Sequence, residues 1–408
     1  MTAVDDPVEI TSARLPGPAL HDFLRAARQQ PGLAPVRLVG RAALLVARFD
    51  DVKEFLADAE RFPGGPVYGI QVEPVVGRTF ISMDGDEHLR TRQLAMPAFR
   101  SRVVSRFVDE QLVPLAHEIV DRFATRGEGD LVADLTDVLP FAAISRKVGL
   151  PVGTEEGQRI AARRLLSYPA TPEVALRAAG EVTDVVRVAL EQRRREPADD
   201  VLSHLLATGM DDEAVLSHVR LLYAVGATTT ADAMSNLFAV LLARPELVER
   251  ARVEPALRPR IVGELLRYEP PVPLLPRLAT RPGTVGGVEV PAGTLLVAGL
   301  AAANRDPSVY ADPDAFDPDR QEGELLTFGF GPKFCPGWNL ARSQLLAALE
   351  VVLERLPGLR LAADVQPEGA VLRSTPHLPV RWSTAPGRRS GARAARASSW
   401  PGPALPPS

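Results

Sequence analysis

The sequence predicts a mainly helical protein with a small β-rich subregion, and three observations carry that prediction. Long stretches repeat apolar residues at helical spacing, most clearly Val113, Leu115, Ile119, Val120 and Phe123. One stretch, Leu216 to Ala243, is apolar on nearly every side and ends just before Pro245, which marks a buried helix. Only short runs alternate in the manner of strands, near Pro35 to Arg48 and Val288 to Ala298.

Taken in order, Val36–Val39 and Ala43–Val46 read as a hairpin, and a helix follows to about Glu60 with Asp50 or Asp51 as its cap. Phe62 to Phe80 carries Gly64, Gly65, Pro66, Gly69, Pro74 and Gly77 and is expected to be a long loop. Such a loop is either functional or a disordered surface segment. Its Tyr68, Ile70, Val72 and Val75 offer an apolar wall. The next helix opens at Glu87 and runs toward Phe99. It sets His88 and Arg92 four apart on one face, where a donor and a fixed cation can grip a carboxylate together.

Arg106 to Gly209 is mostly helical, broken at Pro151 and Pro169. Inside the apolar helix, Gly226-Ala227-Thr228-Thr229-Thr230 is costly in helix propensity. Small residues there let a large group approach, and the threonine hydroxyls can bond the preceding turn. Glu264 and Arg267 are spaced to pair on a helix. Pro270 to Arg281 is extended, and Leu295 to Ala303 is the longest apolar run, too short to cross a bilayer.

Cys335 is the only cysteine in 408 residues, which excludes an internal disulfide. It lies in Phe328-Gly329-Phe330-Gly331-Pro332-Lys333-Phe334-Cys335-Pro336-Gly337, directly before a helix legible from Leu340, Leu345, Leu349 and Val352. A thiol at a helix N-terminus is drawn toward thiolate. The residues alone leave two readings open: a buried structural cysteine, or a nucleophile, redox centre or metal ligand.

Phe328, Gly329, Gly331, Cys335, Gly337, Leu340, Ala341 and Arg342 resemble the haem-binding signature of the cytochrome P-450 family. The family's other motifs occur in order upstream, over about Asp50 to Trp382. The resemblance implies the cytochrome P-450 fold and haem b with Cys335 as axial thiolate. Gly337 and Trp338 would be the backbone donors to the sulfur, and Phe328 would pack on the proximal side. Residues 1–383 would form a single catalytic domain, followed by a disordered Arg/Pro-rich tail over 384–408.

His88, Arg92 and Arg277 would bind haem propionates, and Lys333, where His or Arg is usual, would keep positive charge beside one. Gly226, Thr229 and Thr230 resemble the family's oxygen-binding helix, in which an acid normally stands where Thr228 is. Thr229 and Thr228 are the candidate catalytic residues; Asp232, three beyond Thr229, is the candidate replacement for the acid. Its absence predicts slower or less well coupled dioxygen activation. The substrate pocket is expected from Tyr68, Ile70, Val72, Val75, Ala224, Leu274, Leu275 and His377. Leu165, Leu166, Tyr168, Val174 and Leu176 would face it from a lid. Glu264 and Arg267 are expected in a buried structural network, completed by Arg320 because Ala315 stands where the family has an arginine.

The function implied is a haem-thiolate monooxygenase of secondary metabolism, hydroxylating or epoxidising a hydrophobic small molecule with dioxygen. Electrons would come from a ferredoxin-type donor and its reductase, with Arg100, Arg102, Arg106 and Arg342 as a basic docking face. The alternatives are peroxide-driven or rearrangement chemistry, given Thr228, and a non-enzymatic helical binding protein. The formal charge of −4 gives no reason to expect nucleic acid. No signal or membrane anchor is visible near the N-terminus, so a cytoplasmic monomer is expected.

Overall fold

A computed structural model describes residues 7–384, except 12, 152–154 and 322. The tail expected to be disordered lies outside the described residues apart from Thr384. Helices dominate, and the central one, Asp212–Leu242, is buried along nearly its whole length. It starts four residues earlier than its apolar pattern, because Asp211 accepts the Ala214 N–H at 2.8 Å and caps a polar first turn. Around it pack the helices Leu139–Val148, Arg258–Tyr268 and Trp338–Arg355, the last called the terminal helix below.

A four-stranded sheet flanks this bundle. Its strands lie in the order Ala34–Leu38, Arg41–Val46, Leu295–Gly299, Leu274–Leu278. Arg41–Val46 runs parallel to Leu295–Gly299, with Leu44 opposite Leu296; the other neighbours are antiparallel. The expected hairpin is present. The helix after it spans Phe49–Ala57, but neither Asp50 nor Asp51 caps it. The distant Asp306 carboxylate accepts the Phe49 N–H at 2.8 Å instead. A cap supplied across about 250 positions leaves no local signal in the sequence.

Phe62 to Phe80 is not a long loop. It folds into two short helices, Gly65–Gln71 and Glu73–Val76, each with proline in its first turn. The His88 helix follows, Gly85–Ala95. The lid expected from the family resemblance is a helix pair, Glu155–Leu165 and Pro172–Arg195. Leu165 of that pair is in the core, whereas Val174 and Leu176 point outward to solvent rather than inward.

Candidate active site

The thiol loop is built by its glycines. Gly329 and Gly331 adopt φ of +75° and +70°, and a Cβ on Gly331 would lie 2.8 Å from the Leu56 carbonyl oxygen. The loop then returns so that the Cys335 N–H donates to the Phe328 carbonyl at 2.9 Å. Gly337 and Trp338 at the head of the terminal helix present backbone N–H groups to the sulfur. Burial nevertheless pushes the thiol above its usual value, outweighing those donors and the Arg92 charge. The thiol meets open space where it lines a cavity of about 260 Å³.

Four cationic or titratable side chains reach that cavity from three elements. His88 places Nδ1 2.7 Å from the Phe80 carbonyl and Nε2 3.1 Å from that of Pro332. Burial holds its pKa below the usual histidine value. Arg92 donates to the Phe334 carbonyl at 2.5 Å. Arg277, 3% exposed, donates to Pro276 at 2.8 Å and to the Tyr68 hydroxyl at 3.4 Å. Among the described residues, no carboxylate pairs with Arg92 or Arg277.

Lys333, expected to keep positive charge beside a propionate, lines the cavity and is also held by protein groups. Its ammonium donates to the carbonyls of Phe80 and Ile81 at 3.2 Å, contacts that of Met83, and pairs with Asp84 at 3.2 Å. Burial pulls its pKa down to about 8. Asp84 also accepts the Gly65 N–H at 2.8 Å, so Lys333 ties the thiol loop to both neighbouring helices.

Opposite the thiol, the central helix presents Leu222, Val225, Gly226, Thr229, Thr230 and Ala233 to the cavity. The Thr229 and Thr230 hydroxyls donate back to Val225 and Gly226 at 2.9 Å. Gly226 has a packing reason too, since a Cβ there would lie 3.3 Å from Ile144. Thr228 does not line the cavity; its hydroxyl is buried without a hydrogen-bond partner. Asp232 is also turned away, 3.0 Å from Arg163 of the lid, which is shared with Asp137. It therefore does not stand in for the missing acid at the cavity wall.

Of the expected wall residues, Tyr68 and Leu275 line the cavity and six do not. Ile70 is 63% exposed, and Val72 and Val75 pack against the main core. Ala224 is buried on another face of the central helix, and Leu274 packs into the N-terminal core. His377 is on the surface, 3.2 Å from Asp130. The wall missed by sequence reasoning comprises Phe80, Ile81, Leu221, Leu222, Val225 and Val272. Counting back three, four and seven from Thr229 on the helix finds Gly226, Val225 and Leu222.

Beneath the site, Glu264 and Arg267 form a bidentate buried pair at 2.7 and 2.8 Å. Arg267 also donates to the carbonyls of Asn304, Pro313 and Ala315 at 2.8–2.9 Å. Arg320 comes within 3.6 Å of Glu264, and Ala315 contributes only its backbone.

These residues fit haem. A buried Arg277 and a half-buried Arg92 without counter-anions are costly, and a dianionic cofactor would offset that cost. A thiol facing the same space would ligate the iron, and most of the remaining lining is apolar.

The cytochrome P450 family model matches residues 176–357. Nocardicin C N-oxygenase of Nocardia uniformis subsp. tsuyamanensis is 37% identical over 388 residues, covering 86% of this chain and 95% of that protein. Mycinamicin IV hydroxylase/epoxidase of Micromonospora griseorubida is 35% identical over 369 residues, covering 84% and 90%. The structure of myxobacterial cytochrome P450 CYP267B1 in complex with myristic acid superposes with a TM-score of 0.83 at 28% identity, covering 89% and 96%. At these identities and coverages the chain belongs to the cytochrome P450 family, and it is a bacterial haem-thiolate monooxygenase.

Proposed function

We propose that the enzyme hydroxylates or epoxidises an uncharged, largely apolar small molecule, with a haem that Cys335 would hold through its thiolate. The observation that carries this reading is the segregation of charge in the cavity. His88, Arg92, Arg277 and Lys333 group where propionates would lie, while the wall from Phe80, Ile81, Leu222, Val225, Val272 and Leu275 is apolar. A charged substrate against that wall would be desolvated without a partner. The relatives named for mycinamicin IV and for cyclomarin C, the latter an epoxidase 34% identical over 286 residues, support a secondary-metabolite substrate.

When bound, haem supplies reductive activation of dioxygen. The chain's own residues hold and hydrate the site around it. His88, Arg92 and Arg277 anchor the carboxylates, and Phe328, Gly329 and Gly337 shape the thiol loop. Thr229 can release its hydroxyl from the Val225 carbonyl to hold water and pass protons. Glu264 and Arg267 brace the thiol side. Residues 1–383 act as one catalytic domain, and 384–408 is a passive tail.

A ferredoxin-type donor with its reductase supplies electrons, met by a basic face that includes the exposed Arg100 and Arg102. Arg106, expected there too, pairs with Asp199. No helix among the described residues is long and apolar enough to cross a membrane.

One observation favours a second reading, peroxide-driven chemistry: among the described residues no carboxylate lines the cavity. The deciding experiment titrates the haem-loaded enzyme with neutral macrolide and terpene scaffolds and with free fatty acids, following the haem absorption band. It then supplies either dioxygen with ferredoxin and reductase or peroxide. Spin-state shifts confined to neutral scaffolds, with turnover on dioxygen, are expected. Turnover with peroxide alone selects the second reading, and shifts produced only by fatty acids refute the neutral-substrate claim.

A further inference from the structure

Phe80 lies between the short helix Glu73–Val76 and the His88 helix, and its side chain lines the cavity. Its backbone groups have no partner in regular secondary structure. Two buried histidines take them. The Phe80 N–H donates to His218 Nε2 at 3.3 Å, and its carbonyl accepts from His88 Nδ1 at 2.7 Å. The two imidazoles also flank the Phe80 ring, with centroids 5.6 and 6.5 Å away.

His218 can do this in one form only. It sits on the central helix, 1% exposed, and its Nδ1–H donates to the Ala214 carbonyl at 2.7 Å. With the proton fixed on Nδ1, Nε2 carries the lone pair that accepts from Phe80. A second proton would set one N–H against another.

We propose that His218 is a positioning residue for substrate recognition: its neutral imidazole pins the Phe80 backbone and thereby fixes the Phe80 ring as a wall of the cavity. Loss of the grip leaves a buried N–H unpaired, so the segment Thr79–Met83 shifts to resatisfy it. The charged surroundings do not replace the grip. Across the Phe80 peptide stand His88 and Lys333, both on the carbonyl side. On the central helix, Glu213 and Arg220 bond each other at 2.9 Å. Burial holds His218 below the usual histidine value, so the gripping form persists at neutral pH and is lost in acid.

The wall claim rests on the cavity being the substrate site, so the test has two arms. Hydrogen exchange at the Phe80 amide reads the grip without reference to haem. Binding of pyridine and 4-phenylpyridine to the haem-loaded enzyme reads the wall, since both carry the same ligating nitrogen and the second adds a ring that needs more of the cavity Phe80 lines.

His218→Phe is expected to speed Phe80 exchange at least about tenfold. It should weaken 4-phenylpyridine about tenfold, with pyridine affinity and haem content unchanged, as for one lost hydrogen bond. His218→Gln restores an acceptor and returns both towards wild type. Its preference for 4-phenylpyridine over pyridine should stay flat into the acid range, where the wild-type preference falls as His218 takes up its second proton. Unchanged Phe80 exchange in His218→Phe overturns the grip. Faster exchange with unchanged 4-phenylpyridine binding overturns the wall, and equal weakening of both ligands shows general damage and overturns the positioning role. If His218→Phe does not fold, the pH profile of His218→Gln decides: an acid loss like that of the wild type refutes the proposal.

Discussion

Asp232 Oδ1 lies 3.0 Å from Arg163 Nη1, so the acid three residues beyond Thr229 is committed to the lid and not to the cavity. Asp232 is 2% exposed, and burial pushes its pKa up to about 6 although Arg163 opposes the shift. The folded value exceeds the ordinary carboxyl value of 3.8, so the folded chain binds more proton between the two. That contribution to stability is full below about pH 4 and lost as pH rises through about 6. Asp232→Asn should therefore gain stability relative to wild type between those limits and level off above them. Urea unfolding at stepped pH measures this. A difference between the two proteins that does not vary with pH would refute it.

Thr228 has a buried hydroxyl without a partner, which is an energetic cost with no return in the fold. Thr228→Val keeps the shape and should stabilise the protein by about 1 kcal/mol. The urea midpoint should rise at unchanged slope. Thr228→Glu does not restore an acid to the cavity, because this position faces away from it. It should destabilise by about 2 kcal/mol or more without improving coupling. Improved coupling of electron consumption to product in that variant would contradict the placement.

Thr229 is the hydroxyl that does reach the cavity. Thr229→Ala should lower the fraction of reducing equivalents recovered in product roughly tenfold. Substrate affinity should change little, since one methyl group still faces the wall. Parallel assays of cofactor oxidation and product separate the two effects.

Arg267→Met removes one partner from a pair whose side chains are only 3% and 5% exposed. Leaving Glu264 buried and unpaired should cost about 3–5 kcal/mol. Arg320→Met should cost less, roughly 1 kcal/mol, because its contact to Glu264 is 3.6 Å. Equal losses in calorimetry or urea titration would mean that Arg320 carries more of the network than its distance implies.

Arg277→Met should accelerate haem loss to an apomyoglobin acceptor about tenfold, the equivalent of one charge-assisted hydrogen bond. Cys335→Ser should retain some haem through the propionate anchors but lose the thiolate signature of the reduced carbon monoxide complex. A thiolate spectrum surviving in that variant would remove Cys335 from the site.

The parts of the site legible in the sequence are those fixed by local spacing. The thiol loop needs glycine at its left-handed positions, and His88 and Arg92 share a face because they are one turn apart. What was not legible is which way neighbouring residues point once the element type is known. Tyr68 and Ile70 are two apart, and on the helix Gly65–Gln71 such residues diverge, so one lines the cavity and the other meets solvent. Leu274 and Leu275 are consecutive in a strand and point to opposite faces of the sheet. Val75, expected in the wall, packs into the core, and Phe80, given no role by the sequence, lines the cavity. The Asp306 cap on the helix Phe49–Ala57 depends on a contact that no local pattern encodes.

The parallel register of Leu44 with Leu296 has a consequence for how the chain is made. The hairpin at residues 34–46 leaves the ribosome well before its partner, since the strand that covers its inner edge is synthesised roughly 250 residues later. At about 5–20 residues per second that edge waits on the order of 10–50 seconds. Throughout this interval Leu44, Leu45 and Val46 offer an apolar β-edge to any other nascent chain. Expression at lower temperature or with a co-produced chaperone should therefore raise soluble yield more than any stabilising substitution within the completed helical bundle.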